Sequence, residues 1–464
     1  MVASLSFSDG DTLHLLLTLS ILLAAVHAVG FAFVKLRQPR VAGEIVAGLI
    51  LGPTVLGYLR PDLAHELLAG NASSTAVLGA IYQLGQLLLM YCAGAALRSH
   101  RRRGEGRTTV LIALFGNVIP FAIGAAFMVV VNPGSLIGTA GNRTAMLIVF
   151  ACGIAVTSIP VISRILVDLG LMRTSFARVV LSVALIDDVI LYVLLSIAVG
   201  LVATASSDSF ALPSLLSLHP GSATSDAYYV VVSVAIFALP LVFGRSFVER
   251  AGAFRFNVLG RSNALAFQVV FMMVMTSLAL FLGISPIFGA FVAGILAGTL
   301  TASKVGATTV SLDAARAQAT IQSFSFAFFI PIYFAIVGLK LDLVRQFDIS
   351  FFFLFLVLAC VVKGLSVYLG ARIAGERRDS AVNLAMALNA RGGPAIVMAS
   401  VAFDAHIISE KFYVDLVLLA LVTSMMAGAW LDRVMRRGTF FAGSQTEEPA
   451  DPEAARAAPG DIVA

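Results

Sequence analysis

Long apolar runs, separated by short polar segments that often contain Gly or Pro, cover almost the whole chain from residue 13 to residue 431. A helix needs about 20 mostly apolar residues to cross a bilayer, and Gly, Pro and polar clusters mark where such helices end. The pattern therefore predicts thirteen transmembrane helices, at residues 13–34, 41–58, 75–97, 108–131, 144–168, 178–203, 227–244, 263–283, 285–302, 319–339, 350–371, 380–403 and 411–431.

Composition agrees with a membrane protein. Of the 464 residues, 59% are hydrophobic and 12% are charged, and the mean hydropathy is +0.96. Ordinary soluble domains carry about 25% charged residues, so this chain has too few charges to cover the surface of a soluble protein. We therefore expect an all-α polytopic membrane protein.

The basic residues predict how the chain crosses the membrane. Loops on one side of the predicted spans hold most of the 31 Lys and Arg residues. The other side holds Arg60, Arg143, Lys340, Arg345 and Lys411. Because basic loops stay on the cytoplasmic side, we expect residues 1–12 outside and the C-terminus inside, in the plasma (inner) membrane. The net charge of +5 then reflects topology, and the expected partner is membrane lipid and not nucleic acid.

The cysteines give no sign of a metal or cofactor site. Cys92, Cys152 and Cys360 lie in apolar stretches, without a CxxC spacing and without nearby histidines. Zinc sites and disulfide frameworks need such clustering. No cofactor is expected.

Two pairs of similar segments predict an internal repeat. VAGLILG at 46–52 lies on the second span and VAGILAG at 292–298 on the ninth. LLLMYCAGAAL ends the third span and PIYFAIVGLKL ends the tenth, at nearly the same offset. The paired spans run in opposite directions, so spans 1–6 and 8–13 are predicted to be inverted-topology repeats, with span 7 as the connector.

Inverted-repeat transporters place their site where equivalent helices are broken near the bilayer midplane. The fifth span carries TSIP, ending at Pro160, and the twelfth carries NARGGP, ending at Pro394. Proline has no N–H and disfavours helical geometry in the residue before it. Ordinary proline kinks are the alternative explanation, but two kinks at repeat-equivalent positions favour crossed broken helices. The predicted elements of the breaks are Pro160, Asn389, Arg391, Gly392, Gly393 and Pro394.

Three ionisable residues lie deep within predicted spans. Asp187 and Asp188 are adjacent in the sixth span, and Lys363 lies in the eleventh. Such residues are costly in a membrane and mark functional sites. Adjacent residues of a helix point about 100° apart, so only one aspartate can face Lys363. A purely structural salt bridge would explain Lys363 and one aspartate and would leave the other unexplained.

The unpaired carboxylate can hold either a proton or a small cation. Burial without a partner favours its protonated form, whereas a bound cation favours its ionised form. Competition between proton and cation at a site that is open to alternating sides of the membrane amounts to exchange. We therefore predict a secondary antiporter of a monovalent cation and protons.

Several stretches together resemble the sodium/proton exchanger domain of the monovalent cation:proton antiporter-2 family. They are GEIVAGLILGPTVLG, LGQLLLMYCAGAAL, GAFVAGILAG, FFIPIYFAIVGLKLDL, the aspartate pair and NARGG. The resemblance covers residues 13–431 and is specific as an ordered set. It implies the sodium/proton antiporter fold.

The resemblance also implies a division of labour within a transmembrane exchanger domain at 13–439. A core ion-transport part would comprise about 108–203 and 350–431, and a dimerisation part about 13–97 and 263–339, with the connector at 227–244. The core would move in an elevator-like cycle against the other part of a homodimer.

For individual residues, the resemblance implies that Asp188 binds the cation and the proton, while Asp187 pairs with Lys363. Thr157 and Ser158 are expected to line the cation site. An Asp-Asp pair, in place of Asn-Asp or Gln-Asp, is similar to the electrogenic branch of the family.

The chain also departs from the family pattern. Many members carry a glutamate just after the break in the twelfth helix, where this sequence reads RGGPAI. Potassium-efflux relatives append a nucleotide-binding domain, whereas residues 440–464 are polar and are expected to form a disordered cytoplasmic tail.

Sodium is the expected cation, with potassium or lithium as alternatives. The competing functions are an electroneutral potassium/proton exchanger and a sodium-coupled symporter of an organic anion on the same fold. An enzyme is not expected, because metal-dependent prenyltransferases need spaced acids near water and intramembrane aspartyl proteases need acids on different helices, whereas Asp187 and Asp188 are adjacent and followed by VILYVLL.

Overall fold

The computed structural model describes residues 8–36, 38–63, 72–99, 106–131, 134–171, 174–202, 211–216, 223–253, 262–302 and 309–437. These residues are almost entirely helical, with only an isolated β-bridge between Ile137 and Ile408. The predicted tail at 440–464 lies outside the described residues. The expectation of an all-α protein is confirmed.

Each predicted span coincides with one helix or one interrupted helix. Numbered to match the predicted spans, they are α1 (Asp9–Lys35), α2 (Arg40–Leu51), α3 (Ala72–Ser99), α4 (Gly106–Val131), α5a (Arg143–Ala155), α5b (Ile159–Asp168), α6 (Ser175–Val202), α7 (Ala223–Ala253), α8 (Ala264–Phe281), α9 (Pro286–Ala302), α10a (Thr309–Phe324), a π-helical turn (Ser325–Phe329), α10b (Ile330–Leu339), α11 (Ile349–Ile373), α12a (Arg378–Ala387), α12b (Gly392–Asp404) and α13 (Glu410–Arg436). Leu56–Leu59 and Leu212–Leu215 form two further short helices.

Ten candidate membrane spans in the described part of the chain are long and apolar enough to cross a bilayer. Shorter apolar helices lie at Arg143–Ala155, Ala227–Pro240 and Pro286–Gly298. The membrane architecture agrees with the sequence analysis, while the count of thirteen crossings stays a prediction.

Three predicted boundaries differ from the structure by more than five residues. The seventh span, predicted to end at residue 244, continues as a helix to Ala253. The second span ends as a regular helix at Leu51, because Gly52 is extended and Pro53 follows it, and proline cannot continue the hydrogen-bonded ladder. The tenth span begins at Thr309, ten residues before its predicted start at 319. The added residues, TVSLDAARAQ, include five polar residues in ten, so they extend the helix without extending the apolar run from which the start was predicted.

Glycines at two helix crossings reproduce the inverted repeat in three dimensions. In the α2–α10b crossing, a Cβ at Gly48 would overlap the carbonyl oxygen of Ala335, and one at Gly338 would overlap that of Ile45. Small residues let helix backbones approach this closely within a membrane.

The α3–α9 crossing has the same construction. A Cβ at Gly94 would overlap the carbonyl oxygen of Phe291, and one at Gly294 would overlap that of Tyr91. Under the predicted repeat α2 corresponds to α9, and α3 to α10, so each crossing is the image of the other. The repeated VAG segments at 46–48 and 292–294, together with Gly94 and Gly338, therefore lie at contacts where the two halves pack together.

Helices of the two halves also surround the broken segments. A hydrophobic cluster of buried residues joins α4, α5b, α6, α11, α12a and α13. On α5a, α11 and α13, the rings of Phe150, Phe355 and Phe412 pack with centroids 5.0–5.5 Å apart. This packing fixes α5 and α12 between α6 and α11, which carry the aspartates and the lysine.

The close crossing at Gly94 yields a stability prediction. Replacing Gly94 with Ala inserts a methyl group against the backbone of α9, and such overpacking costs about 1–3 kcal/mol. We expect the apparent melting temperature of the detergent-solubilised protein to fall by about 2 °C or more.

Gly79→Ala on the same helix is the matched control. A Cβ at Gly79 meets no heavy atom within 4 Å, and Ala is about 1 kcal/mol better than Gly in a helix. This variant should melt at or slightly above the wild-type temperature. Equal melting temperatures for both variants would contradict the close crossing.

Candidate functional site

The two helix breaks meet and satisfy each other's backbone groups. The α5 break comprises Val156, Thr157 and Ser158, and the α12 break runs from Leu388 to Arg391. The hydroxyl of Thr157 donates a hydrogen bond to the carbonyl of Leu388 at 2.7 Å, and the N–H of Ser158 donates to the carbonyl of Ala390 at 2.7 Å. Pro394 has no N–H to offer Ala390, so Ser158 supplies the missing donor. The predicted crossing of broken helices is confirmed.

Two buried cations cap the C-terminal end of α5a. Arg391 donates from Nε to the carbonyl of Gly153 at 3.0 Å and from Nη2 to that of Ile154 at 2.9 Å. Lys363 donates to the carbonyl of Ala155, the last residue of the half-helix. A helix C-terminus carries about half a negative charge and four carbonyls without helical partners. The positive side chains therefore stabilise an end that has no access to water.

Arg391 has a larger part than the sequence analysis gave it. Its remaining N–H groups reach the carbonyl of Ala359 at 2.9 Å and, through Nη1, the backbone and side-chain oxygens of Asn389 at 3.2 and 3.1 Å. All five donors of the guanidinium are used, and the side chain is fully buried. Asn389 in turn donates to the carbonyls of Cys360 and Ala385. Arg391 thus connects both breaks to α11.

Asp187 and Lys363 form a buried ion pair. Lys363 Nζ lies 2.9 Å from Asp187 Oδ2, and both side chains are fully buried. The ammonium also donates to the carbonyl of Gly116 at 2.9 Å, so its three N–H groups are all used. Asp187 Oδ1 accepts a hydrogen bond from Asn117 Nδ2 at 2.6 Å. Both carboxylate oxygens of Asp187 therefore have a donor.

Asp188 has a different environment from its neighbour. The residue is 2% exposed, and within the described residues its Oδ1 has no hydrogen-bond partner. A buried ionised carboxylate without a partner is strongly unfavourable. The neutral Asp187–Lys363 pair therefore leaves Asp188 as the carboxylate that needs a proton or a cation.

The remaining predicted residues lie at the breaks. Thr157 and Ser158 are fully buried. Gly392 has φ of +43°, and a Cβ there would overlap Val161 and lie 2.9 Å from Ser158 Oγ. Its N–H donates to Ser424 Oγ at 3.1 Å. Glycine is therefore required at position 392 for two reasons: its positive φ and the close contact between the two breaks.

Gly393, Pro160 and Pro394 have fewer contacts that require their residue type. A Cβ at Gly393 would meet no atom within 4 Å. Pro160 and Pro394 lie in the first turns of α5b and α12b. Proline is favoured in the first helical turn, where no N–H is needed, so each proline begins the second half of its broken helix.

Asn117 is the site residue that the sequence analysis missed. It lies on α4, and a cavity of about 320 Å³ borders it and Asp187. The rest of the lining is apolar apart from a cysteine thiol: Val118, Phe121, Ala122, Cys152, Ala155, Val156, Ile190, Leu191 and Leu194. A lone amide in the apolar run LFGNVIPF was the available signal, because polar groups within a membrane span need partners.

Comparison with known proteins agrees with this geometry. Residues 19–437 match the family model described as "Sodium/hydrogen exchanger, transmembrane". The chain is 29% identical to Cation/H(+) antiporter 15 of Arabidopsis thaliana over 88% of this chain and 46% of that protein. It is 26% identical to the Na(+)/H(+) antiporter NhaS4 of a Synechocystis strain, over 90% and 96% of the two chains. It is 27% identical to K(+)/H(+) antiporter 1 of Saccharomyces cerevisiae, over 88% and 44%. The chain thus spans about half the length of the plant and yeast relatives.

A solved structure shares the fold. The sodium proton antiporter MjNhaP1 from Methanocaldococcus jannaschii aligns with a TM-score of 0.62 over 92% of this chain and 99% of that chain, at 14% sequence identity. The family match, the fold and the ten apolar spans identify an integral membrane protein of a transporter family. The chain belongs to the sodium/hydrogen exchanger transmembrane family.

Proposed function

We propose that this protein exchanges a monovalent cation for protons across the membrane, with cation and proton competing for Asp188. The observation that carries the proposal is the difference between adjacent carboxylates. Asp187 is neutralised by Lys363 at 2.9 Å, whereas Asp188 Oδ1 has no partner within the described residues. The names of the plant, cyanobacterial and yeast relatives, all cation/proton antiporters, support the same function. The match to a transporter family supports no enzymatic role.

Charge balance makes Asp188 an exchange site. An isolated buried carboxylate costs many kcal/mol in a medium of low dielectric constant, so the site is stable only when Asp188 holds a proton or a cation. Two ligands that bind one carboxylate exclude each other. Alternating exposure of such a site couples the movement of one ligand to the return of the other.

The groups nearest the breaks suit a small alkali cation. Carboxylate, hydroxyl and carbonyl oxygens are the ligands that hard cations prefer. The hydroxyl proton of Thr157 is donated to Leu388, so its oxygen lone pairs remain free to face a cation. Together with Ser158 and Asp188, Thr157 forms the proposed monovalent-cation site, with sodium as the first choice and potassium or lithium as alternatives. Sodium appears in the name of the cyanobacterial relative and potassium in that of the yeast relative.

Electrogenic exchange requires more than one proton for each monovalent cation. The Asp187–Lys363 pair is a second titratable group in contact with the site. Coupled groups titrate in steps that belong to the pair, and in this ion pair the proton lies on the Lys363 ammonium, which can supply the second proton. An Asn in place of Asp187 would not form this ion pair.

The proposed movement is an elevator-like displacement of α4–α6 and α11–α13 against α1–α3 and α8–α10 of a homodimer. Contacts at the predicted outer ends of helices cross this boundary. Asp404, at the end of α12b, accepts hydrogen bonds from Lys340 Nζ at 2.8 Å and from the Tyr82 hydroxyl at 3.0 Å. Lys340 also lies 4.3 Å from the centroid of the Tyr82 ring.

This outer contact is suited to opening and closing. Lys340 and Asp404 are 29% and 35% exposed, and partly exposed ion pairs contribute about 0–1 kcal/mol. A contact of this strength holds one arrangement of the two parts without preventing the other. The two parts can therefore separate at this end in each cycle.

The first prediction from the proposed function concerns Asp188. In proteoliposomes with an imposed pH gradient and a pH-sensitive dye, sodium, potassium or lithium should evoke proton movement by the wild type. Asp188→Asn keeps the volume of the side chain but cannot exchange a proton for a cation, so its response should fall to that of protein-free liposomes.

Asp415→Asn is the matched control for this experiment. Asp415 is a buried aspartate on α13 whose Oδ1 also has no hydrogen-bond partner among the described residues, and it lies outside the breaks. Its variant should retain cation-evoked exchange. Exchange that persists in Asp188→Asn, or that no alkali cation evokes in the wild type, would reject the antiporter proposal and direct the test to sodium-coupled uptake of organic anions.

The second prediction concerns electrogenicity. If more than one proton moves per cation, the initial rate must depend on membrane potential. Clamping the potential at zero and at a negative value with a potassium ionophore, with sodium as the transported cation, should give different rates in the wild type. Identical rates would indicate electroneutral exchange.

The third prediction concerns the outer contact. In a variant whose three native cysteines are replaced, Lys340→Cys and Asp404→Cys should react with a short thiol-specific cross-linker that bridges the two helices. Because the proposed movement separates these ends, cross-linking should stop transport, and reduction should restore it.

A pair within one predicted part controls for the chemistry of cross-linking. Ile137 and Ile408 face each other in the isolated β-bridge between the α4–α5 and α12–α13 connections, both in the predicted core. Cross-linked Ile137→Cys/Ile408→Cys protein should continue to transport. If linking Lys340 to Asp404 leaves transport intact, the proposed separation does not occur there.

A further inference from the structure

Asp187 and Asp188 are adjacent, yet their carboxylates have different hydrogen-bond partners. They occupy the same helix, and both are nearly inaccessible to solvent. Lys363 contacts only one oxygen of Asp187, Oδ2. The other oxygen, Oδ1, is bound by Asn117 from α4 at 2.6 Å.

The orientation of the Asn117 amide follows from its two partners. Nδ2 lies 2.8 Å from the carbonyl oxygen of Ala113 and 2.6 Å from Asp187 Oδ1. The carbonyl oxygen accepts hydrogen bonds only, and so does an ionised carboxylate. The NH₂ group must therefore face both, and each of its two protons has an acceptor. In this geometry Asp187 Oδ1 acts as an acceptor and has no room for a proton directed at Asn117.

No other group in the cavity could replace this donor. The cavity beside Asp187 is otherwise lined by apolar side chains and by Cys152, whose thiol is a weak donor. All three N–H groups of Lys363 already donate hydrogen bonds. Without Asn117, Asp187 Oδ1 would face an apolar space.

We propose that Asn117 is a positioning residue that fixes the Asp187 carboxylate beside Lys363, and that it thereby leaves Asp188 as the carboxylate that exchanges its ligand. This inference rests on the proposed antiport. Asn117 has no contact with the moving ions in this arrangement; it acts through Asp187. A charge-assisted hydrogen bond is roughly twice as strong as a neutral one. The Asn117 amide therefore contributes substantially to the stability of the Asp187–Lys363 ion pair.

The charged and titratable groups around Asp187 come from four elements. Lys363 faces it from α11 and Asp188 adjoins it on α6. Cys152 of α5a lines the same cavity, and Arg391 lies behind Lys363 on the neighbouring carbonyls of α5a. Asn117 is uncharged, so its removal changes hydrogen bonding without changing the formal charge.

The test is the pH dependence of cation-evoked exchange, with the cation that the wild type transports. Asn117→Ala and Asn117→Leu remove the donor, and the second keeps a branched side chain with the same number of heavy atoms. A carboxylate that loses a donor is protonated more readily, so the coupled aspartates retain protons to higher pH and the cation displaces them less well. We expect the acid limb of the profile to move by about one pH unit toward alkaline pH, the size of one lost charge-assisted hydrogen bond.

Two further variants separate positioning from structure. Asn117→Gln keeps the amide donor and should restore at least part of the wild-type profile. Asn383→Ala makes the same substitution at an equally buried asparagine, which accepts a hydrogen bond from Trp430 outside the site. It should leave the acid limb in place. If Asn117→Ala and Asn117→Leu do not fold, Asn117→Ser, with a shorter donor, is measured in their place and should shift in the same direction.

The outcomes distinguish this inference from the proposed function. Wild-type exchange that is lost in Asp188→Asn, together with an unshifted acid limb in the Asn117 variants, would overturn the role of Asn117 and leave the antiport intact. A uniform fall in rate at every pH would also overturn it, because that is the effect of a purely structural residue. Absence of exchange in the wild type would instead reject the antiport itself.

Discussion

The structure depends on satisfying backbone groups that are stranded inside the membrane. Two helices stop and restart where no water is available, and each free carbonyl there costs several kcal/mol unless it has a donor. Arg391 and Lys363 supply donors to the end of α5a, and Ser158 supplies one to the carbonyl that Pro394 leaves open. The breaks are stable because each is partly completed by the other and partly by a cation from α11 or α12.

This solution links the fold to the chemistry of the site. Lys363 caps a half-helix and neutralises Asp187 with the same ammonium group. A change in its charge would therefore alter both the ion pair and the helix end. Asn117 contributes from α4, a helix that packs along α11. The glycine crossings between α2 and α10b, and between α3 and α9, provide a closely packed frame beside which these helices lie.

The sequence predicts the parts of this arrangement that are encoded locally. Apolar length places the helices, and Pro160 and Pro394 mark the breaks because a missing N–H acts on the residue's own helix. The start of α10a at Thr309 could not be read from hydropathy, because a polar segment continues the helix. Three of the five hydrogen bonds of Arg391, and the contact of Asn117 with Asp187, depend on how distant helices cross. Sequence spacing carries no direct information on such contacts, and neither residue belongs to the aspartate motif.

Arg391 and Lys363 use all their N–H donors within the protein, and this affects whether the site can bind an anion. All five N–H groups of Arg391 and all three of Lys363 end on oxygens of the protein itself. Neither side chain has a hydrogen left with which to hold an incoming carboxylate or chloride. A visiting anion would have to displace an existing bond, whereas Asp188 Oδ1 has no hydrogen-bond partner among the described residues. The positive charges buried here therefore stabilise carbonyl and carboxylate oxygens of the protein itself and have no donor available to bind an anion.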